Sequence, residues 1–102
     1  MNEIKVIIAD DHKLFRYVLE ELLRKYDDIK IIKSVGDGIE FMNCVKNQID
    51  ADVVLLDITM PNMDGFQVLK ELKTVNTTIK PVIISMYNDG NYIAKCAKMG
   101  AY

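Results

Sequence analysis

The stretch of sequence that decides the fold is residues 53–65, VVLLDITMPNMDG. Its first four residues, 53–56, form an apolar run that predicts a short strand buried on both faces of a sheet. Asp57 follows this strand directly, and no helix starts there that its carboxylate could cap. A loop comes next, and Asp64 with Gln67 three positions later is the N-cap and N3 pair that opens a helix. The stretch therefore predicts a strand that ends in a lone carboxylate, then a loop and a helix.

Outward from this stretch, apolar runs alternate with helical patterns in both directions along the chain. Such alternation predicts a doubly wound α/β fold: a parallel sheet with right-handed crossovers and helices on both faces. The predicted strands are residues 4–9, 29–35, 53–56 and 81–85, and the predicted helices are residues 12–25, 39–49, 64–73 and 91–99.

Two of the predicted helices carry apolar residues at helical spacing. The first predicts one apolar stripe from six residues, Leu14, Val18 and Leu22 with Phe15, Leu19 and Leu23 beside them. The second predicts an inward face made of Ile39, Met42, Val45 and Ile49.

Length and composition indicate one globular domain. The chain has 102 residues, half of them hydrophobic, and a formal net charge of −2. This charge gives no general attraction to nucleic acid or to anionic membranes. The apolar runs are far shorter than the roughly 20 residues of a membrane span, and the first residues do not resemble a signal peptide. We therefore expect a cytoplasmic protein without membrane contact.

Polar residues end three of the predicted strands. Asp10 and Asp11 end the first strand, Asp57 the third and Ser85 the fourth. The carboxyl ends of parallel strands are where such sheets bind ligands. Two carboxylates about 4 Å apart repel by about 4 kcal/mol at an effective dielectric constant of 20, so the cluster needs either a cation or a raised carboxyl pKa. An all-oxygen, carboxylate-rich site without cysteine or histidine suits Mg²⁺.

A simpler interpretation exists for part of this cluster. Asp10 or Asp11 could serve only as the cap of the helix that follows. His12, the single histidine, fits an exposed or capping residue at the start of that helix. Asp57 is the residue that capping does not explain.

Two segments resemble a known family. Residues 57–65, DITMPNMDG, look like the phosphoacceptor motif of response-regulator receiver domains, and residues 9–16, ADDHKLFR, look like the acidic segment of the NarL/LuxR/FixJ branch. Ser85 matches the Ser/Thr position of the family, and the resemblance extends from Ile4 to Tyr102. It implies a flavodoxin-like (βα)5 receiver fold with strand order 2-1-3-4-5. Residues 1–102 would be one receiver domain whose fifth βα unit is missing from this chain.

The resemblance also implies a role for each site residue. Asp57 would be the phosphoacceptor, and Ser85 would hydrogen-bond the phosphoryl group. Mg²⁺ would be bound by Asp11, Asp57 and the backbone carbonyl of Thr59, with Asp10 acting mainly through water. The phosphoryl donor would be a sensor histidine kinase or a phosphotransfer protein.

The implied function is a phosphorylation switch in two-component signal transduction, and not an enzyme acting on other substrates. It would control a DNA-binding output domain absent from this chain, and phosphorylation would favour a homodimer. One alternative is a phosphohydrolase with an aspartyl-phosphate intermediate, although Thr59 stands where that class commonly has a second Asp. Another is a receiver-like interaction module that is never phosphorylated.

Overall fold

A computed structural model describes residues 3–75, 77–84 and Lys98 of the chain. Within these residues strands and helices alternate, as the sequence predicts, and the bounds of the first three strands agree with the prediction. The elements are β1 (Ile4–Ala9), α1 (Lys13–Leu23), β2 (Ile29–Val35), α2 (Gly38–Lys46), β3 (Val53–Leu56), α3 (Gly65–Leu72) and β4 (Lys80–Ile83).

The four strands form one parallel sheet in the order β2-β1-β3-β4. This order confirms the doubly wound α/β class and the first four places of the predicted strand order. The fourth strand ends at Ile83, two residues earlier than predicted. Ser85 lies outside the described residues, and so does the predicted helix over residues 91–99, apart from helical Lys98.

The main core lies between the sheet and helices α2 and α3. Ile7, Val54 and Leu56 supply it from the central strands, and Phe41 and Val68 supply it from the helices. The predicted inward face of α2 is right for Met42 and wrong for Ile39, which is exposed while Phe41 is fully buried. The bulky aromatic ring at position 41 fills the space against the sheet, and this turns Ile39 outward.

Helix α1 packs on the sheet with only half of its predicted stripe. Phe15, Leu19 and Leu23 are half-buried, whereas Leu14 is 78% exposed, and Val18 and Leu22 are also exposed. The prediction that all six residues form one buried stripe is therefore wrong for Leu14, Val18 and Leu22. Both sets recur at a spacing of four residues, so periodicity alone does not separate them.

Helix α3 begins as the sequence predicts. The Asp64 carboxylate accepts a hydrogen bond from the Gln67 backbone N–H at 2.9 Å, and the Gln67 side chain accepts one from the Asp64 N–H at 2.9 Å. This capping box fixes the residue at which the loop after β3 ends. Among the described residues, no helix combines the length and the apolar character needed to cross a bilayer.

Two isoleucines of β1 provide a test of where the core lies. Ile7 is 0% exposed and Ile4 is 42% exposed. Removing one methylene from a buried isoleucine leaves a small cavity, so Ile7→Val should lower the free energy of unfolding by about 1 kcal/mol. The matched control Ile4→Val should change it by less than about 0.5 kcal/mol. Urea denaturation measures both, and equal losses would contradict this assignment of the core.

Candidate functional site

The backbone pairing of β1 with β3 brings the predicted carboxylates together. Ala9 and Leu56 are register partners, and the Asp57 N–H donates to the Ala9 carbonyl at 2.9 Å. The next residue of each strand is therefore an aspartate at the same edge of the sheet. Asp10 is 1% exposed and Asp57 is 8% exposed.

The cluster at this edge contains four residues. One potential ligand atom from each lies within 4.8 Å of the ligand atoms of the others. Asp10, Asp11 and Asp57 are the three predicted carboxylates, and His12 joins them. The structure thus brings together every predicted carboxylate of the site, while Ser85 lies outside the described residues.

His12 contacts the carboxylates of the cluster directly, whereas the sequence predicts only an exposed or capping residue. It occupies the N-cap position of α1, but its side chain makes no capping hydrogen bond. Its ring Nδ1 instead lies 3.1 Å from an Asp10 carboxylate oxygen and 3.2 Å from one of Asp11. The hydrogen bond to Asp10, followed by the charge of Asp11, raises the pKa of His12 above its ordinary value. Its place next to the acidic pair was the signal available in the sequence.

Asp10 is held by the backbone of the turn that follows it. One of its carboxylate oxygens accepts a hydrogen bond from the His12 N–H at 2.8 Å. Its own N–H donates to the Val35 carbonyl of β2 at 3.1 Å. The carboxylate is thereby fixed where it faces the end of β3.

Asp57 is the carboxyl group most perturbed by this crowding. Burial raises its pKa to about 6, and the negative charges of Asp10 and Asp11 act in the same direction. Backbone hydrogen bonds from Thr59 and Ile58 oppose the shift without cancelling it. A buried carboxylate facing two others is stabilised by a nearby cation.

The loop after β3 is closed tightly behind Asp57. The Gly65 N–H donates to the Ile58 carbonyl at 2.7 Å. A Cβ at position 65 would lie 2.5 Å from the Asp57 carbonyl oxygen, so only glycine allows this approach. Thr59, the predicted carbonyl ligand, is exposed in this loop.

The donor set fits a hard divalent cation. Carboxylate oxygens at one edge of a sheet, with a backbone carbonyl nearby in sequence, are the ligands that Mg²⁺ prefers. Mg²⁺ also keeps several water molecules, which agrees with a cluster that is buried at Asp10 and open at Asp11.

Comparison with known proteins agrees with this arrangement. Residues 6–102 match the family described as response regulator receiver domain. The chain is 29% identical over 100 residues to the transcriptional regulatory protein DegU of Brevibacillus brevis, which covers 98% of this chain and 42% of DegU. It is 33% identical over 104 residues to a protein-glutamate methylesterase/protein-glutamine glutaminase of Clostridium acetobutylicum, which covers 100% of this chain and 30% of that protein.

A solved structure shows the same fold at similar identity. The signal receiver domain of NarL from Mycobacterium tuberculosis superposes with a TM-score of 0.91 at 27% identity, covering 99% of this chain and 81% of that one. The chain belongs to the response regulator receiver domain family, and its relatives place it in the NarL/LuxR branch. Its role is that of a phosphoacceptor switch in two-component signal transduction. The chain spans less than half the length of the two curated relatives.

The raised pKa of Asp57 predicts how stability depends on pH in the absence of divalent cations. The folded value is about 6 and the ordinary value is 3.8, so the charged Asp57 destabilises the folded protein above pH 6, and this penalty declines as the pH falls from 6 to 3.8 and is absent below 3.8. Asp57→Asn removes this charge. It should raise the free energy of unfolding at pH 7.5 by about 1–3 kcal/mol, since each pKa unit is about 1.4 kcal/mol.

The gain should shrink as the pH falls from 6 toward 4, and it should shrink when Mg²⁺ is added at pH 7.5. Thermal and urea unfolding measure it, with Asp27→Asn as a control at an exposed carboxylate. A loss of stability at pH 7.5, or a gain that increases at lower pH, would contradict the electrostatic account of the cluster.

Proposed function

We propose that Asp57 is the phosphoacceptor of this receiver domain. The observation that carries the proposal is its position: a carboxylate that ends the central strand β3 and faces two further carboxylates across the pairing with β1. A carboxylate oxygen of Asp57 forms a bond to phosphorus as the phosphorus–nitrogen bond of a phosphohistidine breaks. The electron pair leaves on the imidazole nitrogen of the donor, and the product is an aspartyl phosphate.

The surrounding residues have separate tasks in this proposal. Asp11, Asp57 and the Thr59 carbonyl would bind Mg²⁺ directly, and Asp10 would contribute mainly through water. The bound cation supplies positive charge that offsets the negative charge of the carboxylates and of the phosphoryl oxygens. The transfer otherwise depends on positioning, which the paired strands and the closed loop provide. Ser85 would donate its hydroxyl hydrogen to a phosphoryl oxygen in the phosphorylated form.

The proposed partners follow from this chemistry. The donor would be a sensor histidine kinase or a phosphotransfer protein, in the cytoplasm. We propose that residues 1–102 belong to one receiver domain. DNA would be bound only through a separate output domain, as the names of relatives such as the transcriptional regulatory protein DegU suggest. Phosphorylation would favour a homodimer, and the domain would not act as an enzyme on other substrates.

Phosphorylation at Asp57 has a direct chemical test. The intact protein, incubated with acetyl phosphate and Mg²⁺, should gain the mass of one phosphoryl group, and hydroxylamine should remove it because acyl phosphates react with this nucleophile. Asp57→Asn should abolish the gain, while the control Asp28→Asn should retain it. Labelling of Asp57→Asn to the wild-type extent would contradict the assignment.

Replacing Asp10 and replacing Asp11 should weaken Mg²⁺ binding to different extents. Asp11→Asn removes a direct ligand, so it should weaken Mg²⁺ binding about tenfold or more, and at least as much as Asp10→Asn does. Asp27→Asn serves as the control because it lies just before β2, at the opposite edge of the sheet. Isothermal titration calorimetry measures the dissociation constants. Unchanged affinity in both variants of the pair would place the metal elsewhere.

A further inference from the structure

Two hydrogen bonds connect the loop after β3 to the turn before α2. The Asn62 side-chain amide donates to one carboxylate oxygen of Asp37 at 2.8 Å. The Gly38 N–H donates to the Met63 carbonyl at 3.0 Å. The loop that begins at Asp57 is thus joined, through Asn62 and Met63, to the turn between β2 and α2.

Asp37 is prepared for this contact by the helix it begins. Its other carboxylate oxygen accepts a hydrogen bond from the Glu40 N–H at 2.8 Å, which caps α2. The hydrogen bond from the Glu40 backbone, followed by that from Asn62, holds the pKa of Asp37 below its ordinary value. One side chain therefore fixes the start of a helix with one oxygen and the loop with the other.

The loop is shaped to reach Asp37. Asn62 has a φ of 65°, the left-handed region that Asn and Asp adopt more readily than most residues. The start of α2 lies directly against the loop as well, since a Cβ at position 38 would lie 2.5 Å from the Met63 carbonyl oxygen and 2.6 Å from a Val68 methyl group. On the other side of the loop, Met60 is buried in the main core.

We propose that Asp37 and Asn62 form a latch that positions residues 57–65 for metal binding and phosphoryl transfer. The two ends of the loop are fixed by the Asp57 N–H bond to Ala9 and by the Gly65 N–H bond to Ile58. The latch fixes the loop between them at Asn62, so the Thr59 carbonyl, which lies between Asp57 and Asn62, is held in one place relative to the Asp57 carboxylate. Asp37 and Asn62 are positioning residues, and this consequence rests on the proposed function of Asp57 and Thr59.

The two latch residues can be exchanged, and this gives a sharp test. Asn62→Asp places two carboxylates against each other and removes the donor, whereas Asp37→Asn leaves two amides that can still hydrogen-bond once the Asn62 side chain turns to present its oxygen. Both replacements keep the left-handed turn accessible at position 62 and a capping oxygen at position 37. In the double variant Asp37→Asn with Asn62→Asp, the amide and the carboxylate have changed places, so the hydrogen bond can form again.

Glu40→Gln is the matched control. The Glu40 side chain accepts a hydrogen bond from the Gly36 N–H at 3.1 Å, within the same turn. Glutamine keeps an acceptor oxygen, so the variant removes only a charge from this turn and leaves the bond between Asp37 and Asn62 in place. Each variant is measured in the intact protein by the Mg²⁺ dissociation constant, by the rate of phosphorylation with acetyl phosphate, by amide hydrogen exchange of residues 59–63, and by the melting temperature.

Asn62→Asp should weaken Mg²⁺ binding and slow phosphorylation about tenfold, the scale on which residues that orient metal ligands act, and it should speed hydrogen exchange in the loop. Asp37→Asn should have a smaller effect on all three quantities because an amide pair can still form. The double variant should restore all three quantities to near the wild-type values, and Glu40→Gln should leave them unchanged. Because Asn62 is exposed, the melting temperature should change by only a few degrees in every variant.

Asn62→Asp with wild-type Mg²⁺ affinity and loop exchange would overturn the latch, and so would a double variant no better than Asn62→Asp. Faster loop exchange with unchanged Mg²⁺ affinity would show a structural contact without the positioning role. If the wild-type protein neither binds Mg²⁺ nor accepts a phosphoryl group, the proposed function fails. Hydrogen exchange still decides in that case whether the latch holds the loop.

Discussion

The parallel pairing of β1 with β3 is the constraint on which the site depends. Ala9 lies opposite Leu56, so the residues that follow, Asp10 and Asp57, meet at one edge of the sheet with both backbones held by hydrogen bonds. A shift of this register by one residue would turn the side chains of β3 to the opposite face and separate the two carboxylates.

This pairing also creates the electrostatic strain of the domain. Burial raises the pKa of Asp57 to about 6, and the negative charges of Asp10 and Asp11 at the same edge act in the same direction. The arrangement is unfavourable by itself and becomes favourable when positive charge is added. A site built in this way responds strongly to a cation and to a phosphoryl group, because each changes a balance of charges that the fold holds fixed. The loop after β3 is tied to the turn before α2 by the hydrogen bond from Asn62 to Asp37.

The sequence predicts those parts of the structure that short-range pattern determines. The bounds of β1, β2 and β3, the capping box at Asp64 and the meeting of the three carboxylates follow from apolar runs and from residue types at strand ends. The buried side of α1 does not follow, since two stripes of equal spacing compete and only packing on the sheet selects Phe15 over Leu14. Ile39 and Phe41 in α2 show the same limit.

Contacts between distant segments are harder still to predict. Asp37 and Asn62 are separated by 25 positions, and neither belongs to the strand ends that identify the site. In the sequence, Asp37 stands between two glycines and indicates only a turn. Nothing around Asn62 indicates its left-handed backbone or its partner. His12 lies beside the acidic pair in the sequence, yet only the structure shows its ring between both carboxylates.

The paired strands hold Asp57 in a cluster of like charge, and we propose that a divalent cation relieves the repulsion. A titration of the Asp57 side-chain carboxyl by carbon-13 NMR, with and without Mg²⁺, tests this proposal. The account predicts a pKa of about 6 in the absence of the cation and a clear decrease when Mg²⁺ is present. A pKa near the ordinary value of 3.8 without the cation, unmoved by its addition, would contradict the account.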